Sequence, residues 1–355
     1  MSLRVLIADD SALMRKKIRE MIDAETGMEV VGTARDGEDA VIKARDIRPD
    51  VITMDINMPR MDGLAALSVI VEEEICPVIM LSSLTQEGAE TTFEAMELGA
   101  FDFVSKPGGT ISVNIEEVRK DLIRKLKAAG RTGYNKIKRS VQKPQKVKEA
   151  TDRIETEKMV CGEEFYGVGI GISTGGPKTI FDVLPNLNPD SKASFFLVQH
   201  MPPTFTSTFA KRLNEYCTIE VKECEAGEIV RPGVCYLGKG GSHMTLYKKH
   251  NGCMTVRLNK RPEHNFMPSV DIMLESVLSC FNGRTIGIIM TGMGDDGADS
   301  MVKIKRSGGY TIAESDETCV VFGMPKEAID RGGADIVLPS YKIADEITKR
   351  IRYGW

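Results

Sequence analysis

The feature that most limits what this chain can fold into is a repeated alternation of short apolar runs with segments of helical period. Over residues 1–123, "RVLIAD", "MEVVGTA", "DVITMDI", "CPVIMLSS" and "FDFVSKP" read as strands. Between them, "SALMRKKIREMID", "GEDAVIKARDI" and "EGAETTFEAMELG" read as helices. In the first helix Met14, Ile18, Met21 and Ile22 share one face, and Ser11 is suited to cap it. Five strands separated by helices imply a parallel sheet, and near-continuous apolar strands fit a sheet covered on both faces. The expected class is therefore α/β, doubly wound. Residues 161–355 alternate again, from "YGVGIGI" and "ASFFLVQ" to "TIGIIMTG", "YTIAES" and "ADIVLP", with "KTIFDVLPNL" and "PSVDIMLESVLSCF" as helical patterns. This predicts a second, larger α/β domain with some antiparallel strands. Residues 124–160 are rich in Lys and Arg, poor in large apolar residues and without sustained periodicity, which predicts a linker. A basic arm for nucleic acid or anionic lipid is the other reading of such a segment, but aromatic residues are missing from it beyond Tyr134.

The 355 residues carry a net charge of −4, with a pI near 5.8, which makes no case for nucleic acid or a membrane surface as partner. No apolar run approaches the length of a membrane span, and the acidic "MSLRVLIADD" does not resemble a signal peptide. No direct membrane insertion is expected, and the cytoplasm is the expected compartment. Eight scattered cysteines without a C-x-x-C pair read as reduced, small hydrophobes rather than zinc ligands.

In a parallel sheet, ligands collect at the carboxyl ends of the strands. Asp9 and Asp10 end the first strand, Asp55 the third, and Lys106 the fifth. Three carboxylates at one edge repel unless something neutralises them. A hard divalent cation such as Mg²⁺ would do so, with Lys106 as a second positive charge. A carboxylate so placed can attack a phosphoryl donor. The motifs "IADD", "MDINMPRMDG", "MLSS" and "FVSKP" together resemble a response-regulator receiver domain, a flavodoxin-like fold, over about residues 3–122. The resemblance implies that Asp55 accepts the phosphoryl group from a sensor histidine kinase. It also implies that Asp9, Asp10, Asp55 and the Asn57 carbonyl hold Mg²⁺, that Ser82 and Lys106 contact the phosphoryl group, and that Phe103 is the switch aromatic.

"GISTGGP", at 171–177, marks a strand-to-helix turn. It is not a Walker A loop, since Pro177 stands where Lys belongs, and it lacks the third glycine of a dinucleotide fingerprint. It does fit G-x-S-x-G, which raises Ser173 as a nucleophile. Of the four histidines, His250 and His264 lie in polar loops and His243 precedes a strand. His200 falls at the carboxyl end of "ASFFLVQ", on the same sheet edge as Ser173, and is the candidate base. "TIGIIMTGMGDDG" brings Asp295 and Asp296 to another strand end, as candidates to orient the imidazole. The order Ser, His, Asp is not that of the α/β-hydrolases.

"GISTGGP", "LVQHMPPTFT", "PSVD" and "TGMGDDG" resemble the catalytic domain of the chemotaxis protein-glutamate methylesterases, a Rossmann-like α/β domain preceded in that family by a receiver. The resemblance implies Ser173 as nucleophile, His200 as base and Asp296 as orienting carboxylate, with Thr174 and Met293 near the oxyanion. It implies a phosphorylation-activated hydrolase that removes methyl esters from glutamates of methyl-accepting chemoreceptors and deamidates receptor glutamines. No cofactor is expected in this second domain. A hydrolase of another acyl group, or a receiver with a non-catalytic output, is the competing expectation. Phe266 and Met267 stand where that family usually shows His-Arg.

Overall fold

The computed structural model describes residues 2–106, 115–132 and 164–355. It divides into two compact units, one ending at 142 and the other beginning at 143, and each builds its own sheet.

In the first unit, β1 (Leu3–Ala8), β2 (Met28–Ala34), β3 (Val51–Asp55), β4 (Val78–Ser82) and β5 (Asp102–Ser105) pair in the order β2-β1-β3-β4-β5, all parallel. Helices α1 (Ala12–Asp23), α2 (Gly37–Ile47), α3 (Gly63–Glu72) and α4 (Gln86–Leu98) connect them. Each starts on a polar residue whose side chain accepts a backbone N–H of the first turn: Ser11 from Met14, Asp36 from Asp39, Asp62 from Ala65 and Thr85 from Gly88. Every residue of β3 and β4 is buried, the cause of their unbroken apolar runs. Helix α5 (Ile115–Arg131) runs past residue 123 into the segment expected to be linker. Apart from the buried Lys125, its Lys and Arg residues keep to the more exposed side of an amphipathic helix whose other side buries Val118, Leu122, Ile123, Leu126 and Ala129. Charge content alone concealed that face. The rest of the expected linker, including Tyr134, lies outside the described residues.

In the second unit the strands are β6 (Tyr166–Ile172), β7 (Ala193–Gln199), β8 (Glu220–Glu223) and β9 (Val234–Leu237), then β10 (His243–Lys248) and β11 (Met254–Asn259), then β12 (Thr285–Ile289), β13 (Tyr310–Glu314) and β14 (Ile336–Leu338). Seven form a parallel sheet ordered β14-β13-β12-β6-β7-β9-β8, while β10 and β11 form a separate antiparallel hairpin. The helices are α6 (Gly176–Thr179), α7 (Pro203–Tyr216), α8 (Val270–Phe281), α9 (Ala298–Arg306), α10 (Met324–Asp330) and α11 (Ser340–Tyr353). The segment "KTIFDVLPNL" is not one helix: α6 is a single turn, followed by 3₁₀ turns at Ile180–Asp182 and Leu184–Asn186. Pro185 lacks the N–H a continuous helix would need there. Among the described residues, six cysteines are free and buried. Cys253 is disulfide-bonded, against the reading of all eight as reduced; spacing along a chain says nothing of which thiols a fold brings together.

The glycines of "YGVGIGI" recur at every second residue, so Gly167, Gly169 and Gly171 share one face of β6. That face is covered by α8. A methyl group added at these positions would come within 2.4 Å of Phe281, 2.5 Å of Leu274 and 2.3 Å of Val270. Hydrogen in place of a side chain lets the helix lie against the strand backbone and fixes where its N-terminus falls. Gly171→Ala is expected to destabilise the second unit by about 1–3 kcal/mol, because both methyl groups of the β-branched, χ1-restricted Val270 would lie within 2.9 Å of the added carbon. Gly283→Ala, where a methyl would find its nearest neighbour at 3.7 Å, is expected to cost under ~1 kcal/mol. Urea unfolding of the two variants checks the difference.

Candidate active site

Both sheets carry chemistry where their strand order reverses, at the carboxyl ends of the strands. In the first unit the reversal lies between β1 and β3. Asp9 and Asp10 follow β1 and Asp55 ends β3, and one oxygen of each lies within 4.8 Å of the others. Asp9 and Asp55 are buried, and Asp10 is exposed. Lys106 Nζ is 3.0 Å from Asp9 Oδ2 and 2.7 Å from Asp55 Oδ2. Burial pushes the Asp55 carboxyl above the usual carboxylate range; Lys106 opposes the shift and the charge of Asp9 adds to it. Burial pulls the other way on Lys106, but its bonds to Asp55 and Asp9 hold its pKa above the ordinary lysine value. The Asn57 backbone N–H bonds to the Asp55 carboxyl.

Ser82 and Phe103 are turned toward α4 and α5. Ser82 Oγ donates to the Gly88 carbonyl at 3.0 Å and accepts from Thr92 Oγ1 at 2.6 Å. Phe103 is buried, edge-on to Phe93 at 6.5 Å between centroids, with Lys125 Nζ 5.1 Å above its ring. The cleft over the carboxylates is lined instead by Asp10, Asp55, Asn57, Ser83, Thr85 and Lys106.

In the second unit β6 lies between β7 and β12, and three turns converge beyond their ends. The β6–β7 register closes on Ile172 opposite Gln199, so Ser173 and His200 leave neighbouring strands side by side. The Ser173 N–H donates to the Thr291 carbonyl at 3.0 Å, which ties the serine turn to the end of β12. Gly175, with φ of +80°, reverses the chain into α6; a side chain there would also meet Val320. Gly292 must lack a side chain as well, since a methyl would come within 2.8 Å of the Ser173 Cβ.

His200 Nε2 lies 2.7 Å from Asp296 Oδ2, and both side chains are almost fully buried. Asp295 is exposed and pairs with Arg331, so of the two candidates it is Asp296 that meets the imidazole. The Asp296 carboxylate receives three further bonds from the start of α8. Ser269 Oγ donates to Oδ1 at 2.8 Å, the Val270 N–H to Oδ2 at 2.7 Å and the Asp271 N–H to Oδ1 at 3.0 Å. Burial alone would raise this carboxyl; His200 and the helix N–H groups outweigh it and bring its pKa down to about 2.

Compared with known proteins, residues 168–347 match the CheB methylesterase family and residues 5–114 the response regulator receiver domain. A relative from Syntrophomonas wolfei, named protein-glutamate methylesterase/protein-glutamine glutaminase 3, is 54% identical over 98% of this chain and 99% of its own length. One from Caldanaerobacter subterraneus with the same activity name is 46% identical over 98% of this chain and 96% of its own length. The crystal structure of the Thermotoga maritima CheB methylesterase catalytic domain covers 53% of this chain and 99% of that one, at 42% identity and a TM-score of 0.51. The chain belongs to the CheB methylesterase family.

Several groups of this CheB site were invisible in the sequence. Gln199 Nε2 donates to the carbonyls of Ser173 and His200, at 3.1 and 3.2 Å. Thr291 is a hub beneath the serine: its hydroxyl donates to the Thr174 carbonyl at 2.9 Å and accepts from the Val321 N–H at 2.9 Å. Its own N–H donates to Glu314 Oε2 at 2.7 Å, and Thr318 Oγ1 donates to Glu314 Oε1 at 2.8 Å. Glu314 ends β13, where an acidic residue after an apolar strand looks like an ordinary solvated end; here it is fully buried. Met293 follows Gly292 in the turn that leads to Asp296. Of the remaining histidines, His250 is exposed and His243 is fully buried, while His264 Nε2 reaches 3.9 Å from Asp296 Oδ1. Phe266 lies flat against the His200 ring.

Burial raises the Glu314 carboxyl from an ordinary value of 4.5 to about 7. The folded chain therefore holds this proton more tightly than the unfolded one. The stability it contributes is complete below pH 4.5 and is lost as pH rises through about 7. Glu314→Gln is expected to shrink the loss of stability between pH 5 and pH 8 by on the order of 3 kcal/mol. Urea unfolding of both chains at the two pH values measures it.

Proposed function

We propose that this chain is a phosphorylation-activated hydrolase of glutamate methyl esters on methyl-accepting chemoreceptors, acting in the cytoplasm and also deamidating receptor glutamines. The observation that carries the reading is the buried His200–Asp296 bond beside Ser173. Asp296 holds Nε2, so Nδ1 is the nitrogen that takes the serine proton. Ser173 Oγ attacks the ester carbonyl carbon as its proton passes to His200. That proton then goes to the departing methoxy oxygen, and methanol leaves an acyl-Ser173 ester. Water attacks this ester, gives a proton to His200 and frees the glutamate; the proton returns to Oγ. On a glutamine side chain the same steps release ammonia. The backbone N–H of Thr174, in the turn after Ser173, would meet the oxyanion, with Met293 near it; such a donor is worth about 3–4 kcal/mol. The names of the Syntrophomonas and Caldanaerobacter relatives support both activities.

In the receiver, Asp55 would take the phosphoryl group from a phosphohistidine of a sensor kinase, with Lys106 meeting the added charge. Clustered carboxylate oxygens, two of them buried, form a hard donor set that fits Mg²⁺, held by Asp9, Asp10, Asp55 and the Asn57 carbonyl. Such an ion offsets the charge of the carboxylates and of the incoming group. No described helix is long and apolar enough to cross a membrane, and no nucleic acid is expected as partner. Ser173→Ala is expected to lower methanol release from methylated receptor membranes by at least about a thousandfold while Asp55 is still phosphorylated by the kinase. Asp55→Asn is expected to keep basal release and lose its stimulation by phosphorylation. Retained release in the serine variant would overturn the nucleophile.

A further inference from the structure

The loop between β11 and α8 brings an aromatic ring against the catalytic-site imidazole. The rings of Phe266 and His200 are parallel within 6°, with centroids 4.1 Å apart. The loop is held by contacts of its own. His243, fully buried on β10, accepts the Ser269 N–H on Nδ1 at 3.2 Å and bonds the Pro262 carbonyl through Nε2 at 3.0 Å. One histidine therefore ties both ends of the segment that carries Phe266. The Gly241 N–H donates to the Met267 carbonyl at 3.0 Å, and the Phe266 N–H donates to His264 Nδ1 at 3.2 Å. Among the described residues, the titratable groups around this stack include Asp296 from the turn after β12, His264 from the loop and His243 from β10.

We infer that Phe266 is a positioning residue for His200, holding the imidazole in one plane and favouring the imidazolium that forms when Ser173 gives up its proton. The inference rests on the proposed roles of Ser173 and His200. A ring tethered at one nitrogen by Asp296 can still swing about that bond, and a face-to-face neighbour removes that freedom. The face of an aromatic ring is electron-rich and attracts a cation laid over it, so the stack favours charged over neutral imidazole. Asp296 provides negative charge at the ring edge, and Phe266 provides it at the ring face. Leucine fills much the same space without the quadrupole, and tyrosine keeps it.

The test uses the full chain and a fluorophosphonate that reacts with activated serine, with the labelled peptide identified by mass spectrometry. Phe266→Leu is expected to label Ser173 about tenfold more slowly at neutral pH, with the acid limb of its pH–rate profile moved down by about half a unit to one unit. Phe266→Tyr is expected to stay within about twofold of the parent chain. Proton NMR gives a reading free of activity: the His200 ring protons should be shifted upfield in the parent and Tyr chains and lose that shift in the Leu chain. Thermal unfolding identifies a Leu variant that does not fold, and Phe266→Met then takes its place. A folded Leu or Met variant that labels at the parent rate with the same acid limb overturns the inference. So does a Tyr variant as slow as Leu. A parent chain labelled at a residue other than Ser173 overturns the nucleophile reading itself, and this inference with it.

Discussion

The second unit depends on keeping one carboxylate charged while it is out of water. Asp296 is nearly inaccessible, and an unpaired carboxylate there would take up a proton rather than stay ionised. Four bonds prevent this: one from His200 and three from the first turn of α8. The helix end matters because its leading N–H groups have no partners within the helix and lie at the positive end of its dipole. Helix α8 can present them only because it lies hard against β6, and it does so because β6 has hydrogen where other strands have side chains. A run of glycine at period two thus leads, through backbone approach and helix placement, to an ionised group that fixes an imidazole.

The two units solve the same problem differently. Each buries carboxylates at a reversal of strand order. In the receiver the compensating charge is a lysine, and the balance leaves Asp55 above the ordinary carboxylate range. In the esterase unit the compensation comes from backbone dipoles and a histidine, and the balance leaves Asp296 far below it. The difference suits the proposed tasks. A phosphoacceptor has to form a new bond at its own oxygen, so tight saturation by fixed donors would hinder it. An orienting carboxylate forms no bond and is best held by as many donors as it has lone pairs.

The alternation of apolar runs and helical segments made both sheets legible, along with the strand ends on which Asp9, Asp10, Asp55, Lys106, Ser173 and His200 stand. Strand β8 escaped because its sequence, "EVKE", shows an edge rather than a core. The helical part of α5 beyond 123 is hard to see in the sequence because its apolar positions are interleaved with lysine and arginine, one of which, Lys125, is itself buried. Residue patterns alone left Asp295 and Asp296 equal; burial and the partner of each separate them. Gln199, Ser269, Thr291 and Glu314 were not legible at all. Their effect comes from hydrogen bonds between segments far apart in the chain, and nothing in a threonine or a glutamate at a strand end announces such a partner. His243 reads as a lone imidazole before a strand, and only the fold shows it tying a loop at both ends.

The glycine face of β6 also bears on how such a chain can vary over time. Gly167, Gly169 and Gly171 carry no acid, base or nucleophile, and a survey weighted by chemistry would rank them last. Yet the space each leaves is already filled by Phe281, Leu274 or Val270. A lineage could exchange surface residues freely and still be unable to add a single methyl group along this strand without moving the helix that orders its site. Change there has to arrive in pairs, a larger residue on the strand with a smaller one on the helix. Tightly restricted positions of the unit are thus among the ones with the least to show.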